Sequence, residues 1–400
     1  MLVDSKIKIK PYNDKYIISQ DDNSYFVANA NSVKVIDSLQ RCDNLNSAFG
    51  MFCESSITTV TFEQYTEITN NILAKLKNKN NDISNQYLHL RFQILSSESI
   101  GKIGQLFVFL FNTKLLWSLF SLGIIINILN LIYTGSNFSL EKDLSVSTYA
   151  MLLYPSLLLF SPFLHEIGHI SACRKFKANH GGFGFGFYFI LPVTYSDVSG
   201  IWMISKRDRI IVNLAGIYFE IIYSILLVIT AIIAKNSIFS MLAILIFLND
   251  IKQLNPLFRY DGYWILSDLA NLPNLRFNSR KILFSFIVQI FKGFKVRLSF
   301  RIVLLIVYSL ISYIFLFVFV FIILFSYTRE VFTFPVTIYN IVNSVVSNNF
   351  EYKAINIASL FLVSLFYFML IQFIWNITKV RHLKRDGMSG NKKVDPRIII

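Results

Sequence analysis

The residues best suited to chemistry in this chain lie in one short segment, His165-Glu166-Ile167-Gly168-His169. In a helix, side chains four residues apart lie on the same face, so His165 and His169 can direct two imidazoles at one metal ion. Glu166 lies one step around the helix, where its carboxylate can act as a general acid/base. A catalytic zinc uses protein ligands of this kind and lowers the pKa of the water it binds to about 7. The segment therefore predicts a zinc site with hydrolytic chemistry.

Chance is a poor explanation for this motif. With 5 His and 24 acidic residues in 400, a random chain of this composition would hold on the order of 0.004 such matches. The motif also lies inside an apolar run, where two histidines and a glutamate are costly unless they are paired or bind a metal. We therefore interpret it as a functional site.

A third ligand is expected from a later part of the chain, and Asp261 is the best candidate. It lies in Asn255-Pro256-Leu257-Phe258-Arg259-Tyr260-Asp261-Gly262, where an apolar run ends. Pro256 breaks a helix because it lacks a backbone N–H, and Gly262 permits a sharp turn after the acid. For this segment alone, an ordinary turn with a solvated aspartate is the alternative. In combination with the two histidines, it predicts that Asp261 completes the metal site.

Other polar residues in or near apolar runs are candidates for supporting roles. Glu220 is expected to pair with a group on another helix. Asn213 and Gly216 are expected to form a close helix contact that faces the site, where Asn213 could help to orient a substrate. His180 is an interfacial residue on the simpler interpretation, and the alternative is that it touches the metal or the substrate.

The elements that must position these residues are long apolar runs. Hydrophobic residues make up 54% of the chain, and its mean hydropathy is +0.52. Each run is long enough to cross about 30 Å of hydrocarbon as a helix. The fold class predicted is mainly α, a polytopic membrane protein with about six transmembrane helices. The runs cover residues 105–133, 147–172, 210–234, 238–257, 301–326 and 355–379.

Two further apolar stretches cannot be simple spans. Residues 183–204 contain glycines and a proline among aromatic residues, which predicts a re-entrant or interfacial β-hairpin after the helix that carries the histidines. Residues 282–291 are too short to span a bilayer, and an interfacial helix is expected there.

The distribution of basic residues predicts the orientation in the membrane. The net charge is +14, and most Lys and Arg lie in the segments that would face the cytoplasm if the N-terminus is inside, while few lie in the opposite loops. This is the positive-inside pattern. It predicts a multi-pass protein of the bacterial cytoplasmic membrane with both termini in the cytoplasm, and the histidine motif near the cytoplasmic end of the second span. Because the charge is explained by the lipid bilayer, a nucleic-acid partner is not expected.

The domain organisation follows from these segments. Residues 1–85 are expected to form a cytoplasmic α+β domain. In it a hairpin includes Tyr16–Ile18 and Tyr25–Val27, and helices cover about 32–39 and 62–79. Further along the chain we expect a linker at 86–104, the membrane metallopeptidase core at 105–280, an interfacial helix with two transmembrane helices at 281–385, and a polar tail at 386–400.

Together these residues resemble the site-2 protease family of intramembrane zinc metalloproteases, in its bacterial peptide-processing branch. Three features of that family occur here in order over residues 147–280: the histidine motif, a glycine-rich hairpin at 181–200, and the Asn-Pro…Asp-Gly segment at 255–262. Stretches typical of the branch are Tyr195-Ser196-Asp197-Val198, Lys206-Arg207-Asp208-Arg209 and Asn255-Pro256-Leu257-Phe258-Arg259-Tyr260-Asp261-Gly262-Tyr263.

The resemblance implies that His165, His169 and Asp261 bind Zn²⁺ and that Glu166 is the general acid/base. It also implies that Asn255 helps to orient the substrate or polarises the scissile carbonyl. One departure is that family members usually have Ala-Gly-Pro in the third core span, whereas this chain has Ala215-Gly216-Ile217. The ligands are unaffected, but the local helix geometry is left open.

The order of elements in the N-terminal domain is similar to that of PqqD-like winged-helix domains. Such domains bind the leader peptides of ribosomally made, modified peptides, and they can do so by adding a strand to an exposed sheet edge. The resemblance implies that this domain selects the substrate.

The hypothesis that follows is a membrane-embedded zinc endopeptidase that cuts a small precursor peptide or a membrane-tethered substrate near the cytoplasmic face. A co-encoded peptide-modifying enzyme or exporter is an expected partner. Two alternatives remain open. One is a non-proteolytic accessory of peptide export, and the other is a regulatory site-2 protease that releases a membrane-bound transcription factor.

Overall fold

The structure is a computed structural model of the 400-residue chain. It describes residues 7–12, 15–20, 24–55, 60–77, 88–137, 148–188, 191–272, 274–292, 299–346, 363–367 and 370–371. The chain forms two compact units, Met1–Asn278 and Ser279–Ile400.

The first unit begins with a small α+β module. Strands β1 (Lys8–Tyr12), β2 (Lys15–Gln20) and β3 (Ser24–Ala28) form an antiparallel meander. Helices α1 (Ala30–Arg41), α2 (Leu45–Ser55) and α3 (Phe62–Lys77) follow. The expected hairpin is β2 and β3, and the two expected helices are α1 and α3. Strand β1 and helix α2 are additions, and both contribute apolar side chains to the core around Ile18, Leu39 and Phe52.

A second sheet precedes and follows the helix that carries the histidine motif. Strand β4 (Leu88–Leu95) pairs antiparallel with β5 (Phe183–Tyr188), and β5 pairs with β6 (Leu191–Ser196). Strands β5 and β6 are the glycine-rich hairpin that the sequence predicts.

The linker expected at residues 86–104 is wrong for most of that segment. It supplies strand β4 and most of helix α4 (Ser97–Leu106), which leads to a 3₁₀ turn at Val108–Phe111. The physical reason is that β4 completes a sheet with β5, a strand almost ninety residues further along the chain. The local sequence pattern does not reveal a pairing strand so far along the chain. It reveals only the Lys- and Asn-rich residues before this segment, and these favour a linker.

Long helices form the rest of the first unit. They are α5 (Thr113–Asn137), α6 (Thr148–Lys175), α7 (Lys206–Ala234) and α8 (Ser237–Gln253). Helices α6 and α7 pack in close contact at Gly168. A Cβ atom on this residue would lie only 2.3 Å from the carbonyl oxygen of Ala215. A 3₁₀ turn at Ser199–Met203 joins β6 to α7, and the short helix α9 (Asp261–Leu269) follows α8.

Among the described residues, three helices are long and apolar enough to cross a membrane: Thr113–Thr134 within α5, all of α7, and α11 (Phe300–Ser326). These helices are consistent with a membrane protein. The larger number of about six spans stays a prediction. Helix α6 is not among these three helices, α8 has only 17 residues, and most of the run at 355–379 lies outside the described residues.

Helix α10 (Leu275–Phe291) is longer than the interfacial helix expected at 282–291. The helix also includes the polar residues that precede the apolar run. The prediction used hydrophobicity alone, which does not mark where a helix with a polar first half begins. The second unit contains α11 and α12 (Thr328–Val346). Within this unit, Ile323, Val331 and Val363 form a buried apolar cluster.

Candidate metal centre

Helix α6 and the first residue of α9 bring three ligand-type side chains together. The Nε2 atom of His165 lies 3.0 Å from Oδ2 of Asp261, and that of His169 lies 3.5 Å from the same oxygen. The two Nε2 atoms are 3.0 Å apart. Each histidine is only 6% exposed, so the three atoms form a small buried triangle.

The other ring nitrogen of each histidine fixes which nitrogen carries a proton. Nδ1 of His165 lies 2.9 Å from a carboxylate oxygen of Glu220, and Nδ1 of His169 lies 2.7 Å from the backbone carbonyl oxygen of Val212. Since both partners are acceptors, both Nδ1 atoms must donate. In a neutral imidazole the Nε2 atom then carries a lone pair. Two lone pairs therefore point into the triangle.

The triangle fits a bound cation. When both Nε2 atoms carry lone pairs, no donor reaches Oδ2 of Asp261, and this buried oxygen is without a hydrogen-bond partner. Buried polar atoms are rarely left unsatisfied. In a tetrahedral zinc site with Zn–N and Zn–O distances near 2.0–2.1 Å, two ligand atoms lie about 3.3–3.4 Å apart. The observed spacings of 3.0–3.5 Å match this value, so the three side chains suit Zn²⁺.

Asp261 is also anionic in this setting. Burial raises the pKa of its carboxyl, but the imidazoles of His169 and His165, when they are protonated, outweigh burial and hold the pKa below its usual range. A divalent cation held between the neutral rings would act on the carboxyl in the same direction. A carboxylate that stays ionised beside two imidazoles is a suitable third ligand for a divalent metal.

Glu166 is held by strand β6. The hydroxyl of Ser196 donates to one carboxylate oxygen at 2.5 Å, and the hydroxyl of Thr194 donates to the other at 3.3 Å. These two residues are two apart in a strand, so their side chains point to the same face. Sequence reasoning did not single out either residue for this role. The signal that could have found them is a pair of hydroxyls alternating along the hairpin that follows the motif.

Glu220 supports His165 from the opposite side. This fully buried carboxylate on α7 receives hydrogen bonds from Nδ1 of His165, from the hydroxyl of Ser161 on α6, and from the side-chain amide of Gln253 on α8. The sequence predicts that Glu220 pairs with a group on another helix, and the structure shows partners on both α6 and α8. A carboxylate behind a metal-binding histidine fixes the ring orientation and raises its basicity.

Replacing Glu220 by glutamine is expected to weaken zinc binding by about 10- to 100-fold, the usual cost of losing a partner behind a metal ligand. Glutamine keeps the shape of the side chain but removes the charge that favours a proton on Nδ1 of His165. Zinc affinity is measured by competition with a chelator in detergent solution. Glu63→Gln, on the exposed surface of α3, is the control with the same change of charge and should bind zinc as wild type does. Equal affinities for wild type and Glu220→Gln would contradict the role.

Comparison with known proteins adds one relative. The chain is 26% identical over 201 residues to a protein of Bacillus subtilis (strain 168) named "Putative peptide zinc metalloprotease protein YydH". The alignment covers 49% of this chain and 73% of that protein. No protein-family model matches the chain, and no solved structure matches it.

The three residues considered for substrate orientation each contact another residue of this chain. The side-chain oxygen of Asn255 accepts from the backbone N–H of Leu257 at 3.0 Å, so it stabilises the turn that leads to Asp261. The buried side-chain amide of Asn213 donates to Asp268 at 3.3 Å. The ring of His180 packs against Gly101 of α4, where a Cβ atom would lie 3.0 Å from it. Their roles toward a substrate stay predictions.

The Ala215-Gly216-Ile217 segment forms a regular part of α7. The helix runs unbroken from Lys206 to Ala234, and Ile217 is buried at 1% exposure. Gly216 faces the ring of His165. The departure from the Ala-Gly-Pro pattern therefore leaves a continuous helix beside the candidate metal site.

Proposed function

We propose that this chain is a membrane-embedded zinc metalloprotease. One observation carries the proposal: the ligand atoms of His165, His169 and Asp261 all lie within 4.8 Å of one another, and two lone pairs and an unpartnered carboxylate oxygen converge there. The similarity to a protein named as a peptide zinc metalloprotease supports it. Three apolar helices long enough to cross a membrane support the membrane setting.

The residues divide the chemistry between them. When bound by His165, His169 and Asp261, zinc would polarise the scissile carbonyl and acidify water. Glu166 takes a proton from the attacking water as the oxygen–carbon bond forms. It then gives this proton to the amine nitrogen as the carbon–nitrogen bond breaks. Ser196 and Thr194 hold the carboxylate of Glu166 in one orientation, so the proton acceptor is placed before substrate binds.

The imidazoles are kept in the ligand form by this chain's own acceptors. Glu220 and the carbonyl of Val212 hold the proton of each ring on Nδ1. This leaves each Nε2 able to bind a metal, and it also prevents the rings from turning away.

The position of the N-terminal module supports a role in presenting the substrate. Ile17 of β2 packs in a cluster with Trp202, Met203 and Trp264. The ammonium group of Lys10 donates to the carbonyl of Met203 at 2.9 Å. The 3₁₀ turn that holds Met203 follows β6, which orients Glu166, and Trp264 lies in the helix that begins at Asp261. The module is therefore attached to elements that hold two site residues.

The class of substrate follows as part of the proposal. We propose a small precursor peptide or a membrane-tethered protein, cut near the cytoplasmic face of the cytoplasmic membrane by an enzyme of the site-2 protease type. The module, proposed as PqqD-like, would bind a leader segment by adding it as a strand to a sheet edge. A co-encoded modifying enzyme or exporter would supply or remove the peptide. Both termini would face the cytoplasm.

Replacing Asp261 by alanine tests the metal site. We expect the purified wild-type protein to retain zinc and the Asp261→Ala variant to lose most of it, because two imidazoles alone hold zinc poorly compared with three ligands. Metal content is measured by mass spectrometry after dialysis in detergent. The exposed Asp37, which pairs with Arg41 on the surface of α1, provides the control Asp37→Ala. Zinc bound equally by wild type and Asp261→Ala would contradict the assignment.

A further inference from the structure

A buried ion pair lies two helical turns beyond Asp261. Nε of Arg209 on α7 donates to Oδ1 of Asp268 on α9 at 2.8 Å, and their side chains are only 4% and 5% exposed. Charges buried to this degree are costly unless they are well paired. The pair joins the helix that begins at Asp261 to the long helix that packs against His165. The chemistry proposed above does not use either residue.

Further contacts satisfy the two charges. A second nitrogen of Arg209 donates to the carbonyl of Ile204 at 3.3 Å, and its guanidinium lies 5.7 Å from the ring centroid of Trp202. Oδ2 of Asp268 accepts from the amide of Asn213 at 3.3 Å. Burial raises the pKa of Asp268, while Arg209 opposes this rise. The guanidinium and carboxylate are thus fixed in direction by neighbours on both sides.

Helix α9 depends on such contacts for its position. It has only nine residues, and Tyr260 at its N-cap makes no side-chain capping bond. A helix this short is marginal by itself, so tertiary packing determines where it lies. A second contact acts in the same direction, because the ammonium of Lys206 donates to the carbonyl of Leu269 at 3.1 Å. Both contacts attach the C-terminal half of α9 to the first turn of α7.

We propose that Arg209 is a positioning residue for the third metal ligand: by fixing Asp268, it holds α9 at the place where Asp261 meets His165 and His169. This inference rests on the proposed zinc site. Arg209 lies seven residues before Gly216, the residue of α7 that faces His165, which is about 10 Å along the helix axis. Arg209 therefore acts on the metal site through Asp268 and α9, and it does not touch the metal. Ligands must be held within about 0.5 Å for productive geometry. The ion pair at the far end of this nine-residue helix restricts the positions that Asp261 can take.

The test compares metal affinity in matched variants of the full chain in detergent. Arg209→Gln is expected to weaken Co²⁺ and Zn²⁺ binding by about 10- to 100-fold, as for other residues that support a metal ligand indirectly. Its Co²⁺ absorption spectrum should change toward that of Asp261→Ala, since the carboxylate no longer reaches the metal. Arg209→Lys keeps a charge that can pair with Asp268 and should recover part of the affinity. Arg207 is exposed in the same turn, so Arg207→Gln is the control and should bind as wild type.

A double variant separates positioning from general stability. If Arg209 acts through Asp261, adding Arg209→Gln to Asp261→Ala should cause little further loss of affinity, whereas independent effects would add. Additive losses, or an unchanged spectrum in Arg209→Gln, would overturn the proposal. If Arg209→Gln does not fold, the neutral pair Arg209→Gln/Asp268→Asn replaces it, with the same expected loss. Failure of wild type itself to bind metal would instead overturn the proposed function.

Discussion

Replacing Glu166 by glutamine is expected to lower peptide cleavage by about 100-fold or more, while zinc binding stays near the wild-type level. Glutamine cannot take a proton from water or return it to the leaving amine. It preserves the shape of the side chain and can still pair with the hydroxyls of Ser196 and Thr194, which contact both carboxylate oxygens in the wild type. The variant should therefore lose proton transfer and keep its structure.

The measurement uses purified protein in detergent micelles with a library of fluorescence-quenched apolar peptides. Cleavage is followed together with metal content, so that loss of proton transfer is separated from loss of zinc. Glu67 is exposed on α3, and Glu67→Gln provides a control with the same change of charge. Equal cleavage by wild type and Glu166→Gln would reject Glu166 as the acid/base. If a peptide were still exported normally by cells with Glu166→Gln, a non-proteolytic export accessory would be favoured.

The residues at the centre of the site follow from local sequence rules. The spacing of His165 and His169 places them on one helix face whatever the rest of the fold does, and the motif itself marks Glu166. Asp261 is less local, yet its Asn-Pro and Asp-Gly neighbours mark a helix end followed by a turn. The structure places its carboxylate beside both imidazoles.

The supporting residues could not be predicted in the same way. Ser196 lies 30 residues from Glu166 in sequence, Glu220 lies 55 from His165, and Asp268 lies 59 from Arg209. Periodicity shows which side of a helix or strand is apolar, but it does not show which polar group meets which. Asn213 illustrates the limit, since nothing in the local sequence shows that its amide donates to Asp268, and its role toward a substrate stays a prediction.

The sheet around β5 illustrates the same limit for the fold. Glycine and aromatic residues at 183–204 predict a hairpin from local pattern alone, and it is present as strands β5 and β6. The third strand, β4, comes from the segment expected as a linker. Its recruitment depends on a partner that only the folded chain brings close, because the pairing crosses the whole of α5 and α6.

Replacing Gly216 by alanine is expected to lower zinc affinity by about 100-fold or more, and cleavage with it. A Cβ atom at this position would lie 2.4 Å from both Cε1 and Nε2 of His165, far below the 3.5–4.0 Å at which carbon atoms pack well. The ring has no simple way to move aside, because its Nδ1 is held by Glu220. A displacement of about 1 Å at a reacting group can cost about 100-fold in rate.

Helix α7 cannot readily move away from α6 instead. At Gly168, one helical turn beyond His165, the two backbones are already so close that a Cβ atom would lie 2.3 Å from the carbonyl of Ala215. The methyl group on Gly216 therefore has to displace the imidazole or separate two tightly packed helices, and either change breaks the triangle of ligand atoms. This close approach is the physical reason for glycine at position 216.

Metal content, zinc affinity and melting temperature of Gly216→Ala distinguish these outcomes from simple unfolding. Gly50 in the middle of α2 has open space around it, so Gly50→Ala is the control and should stabilise the protein by about 0.5–1 kcal/mol with metal binding unchanged. Loss of zinc with a melting temperature close to that of wild type would place the effect at His165. Full zinc binding in Gly216→Ala would show that the ring has another position from which it can bind metal, and the rigid geometry assigned here to His165 would then be wrong.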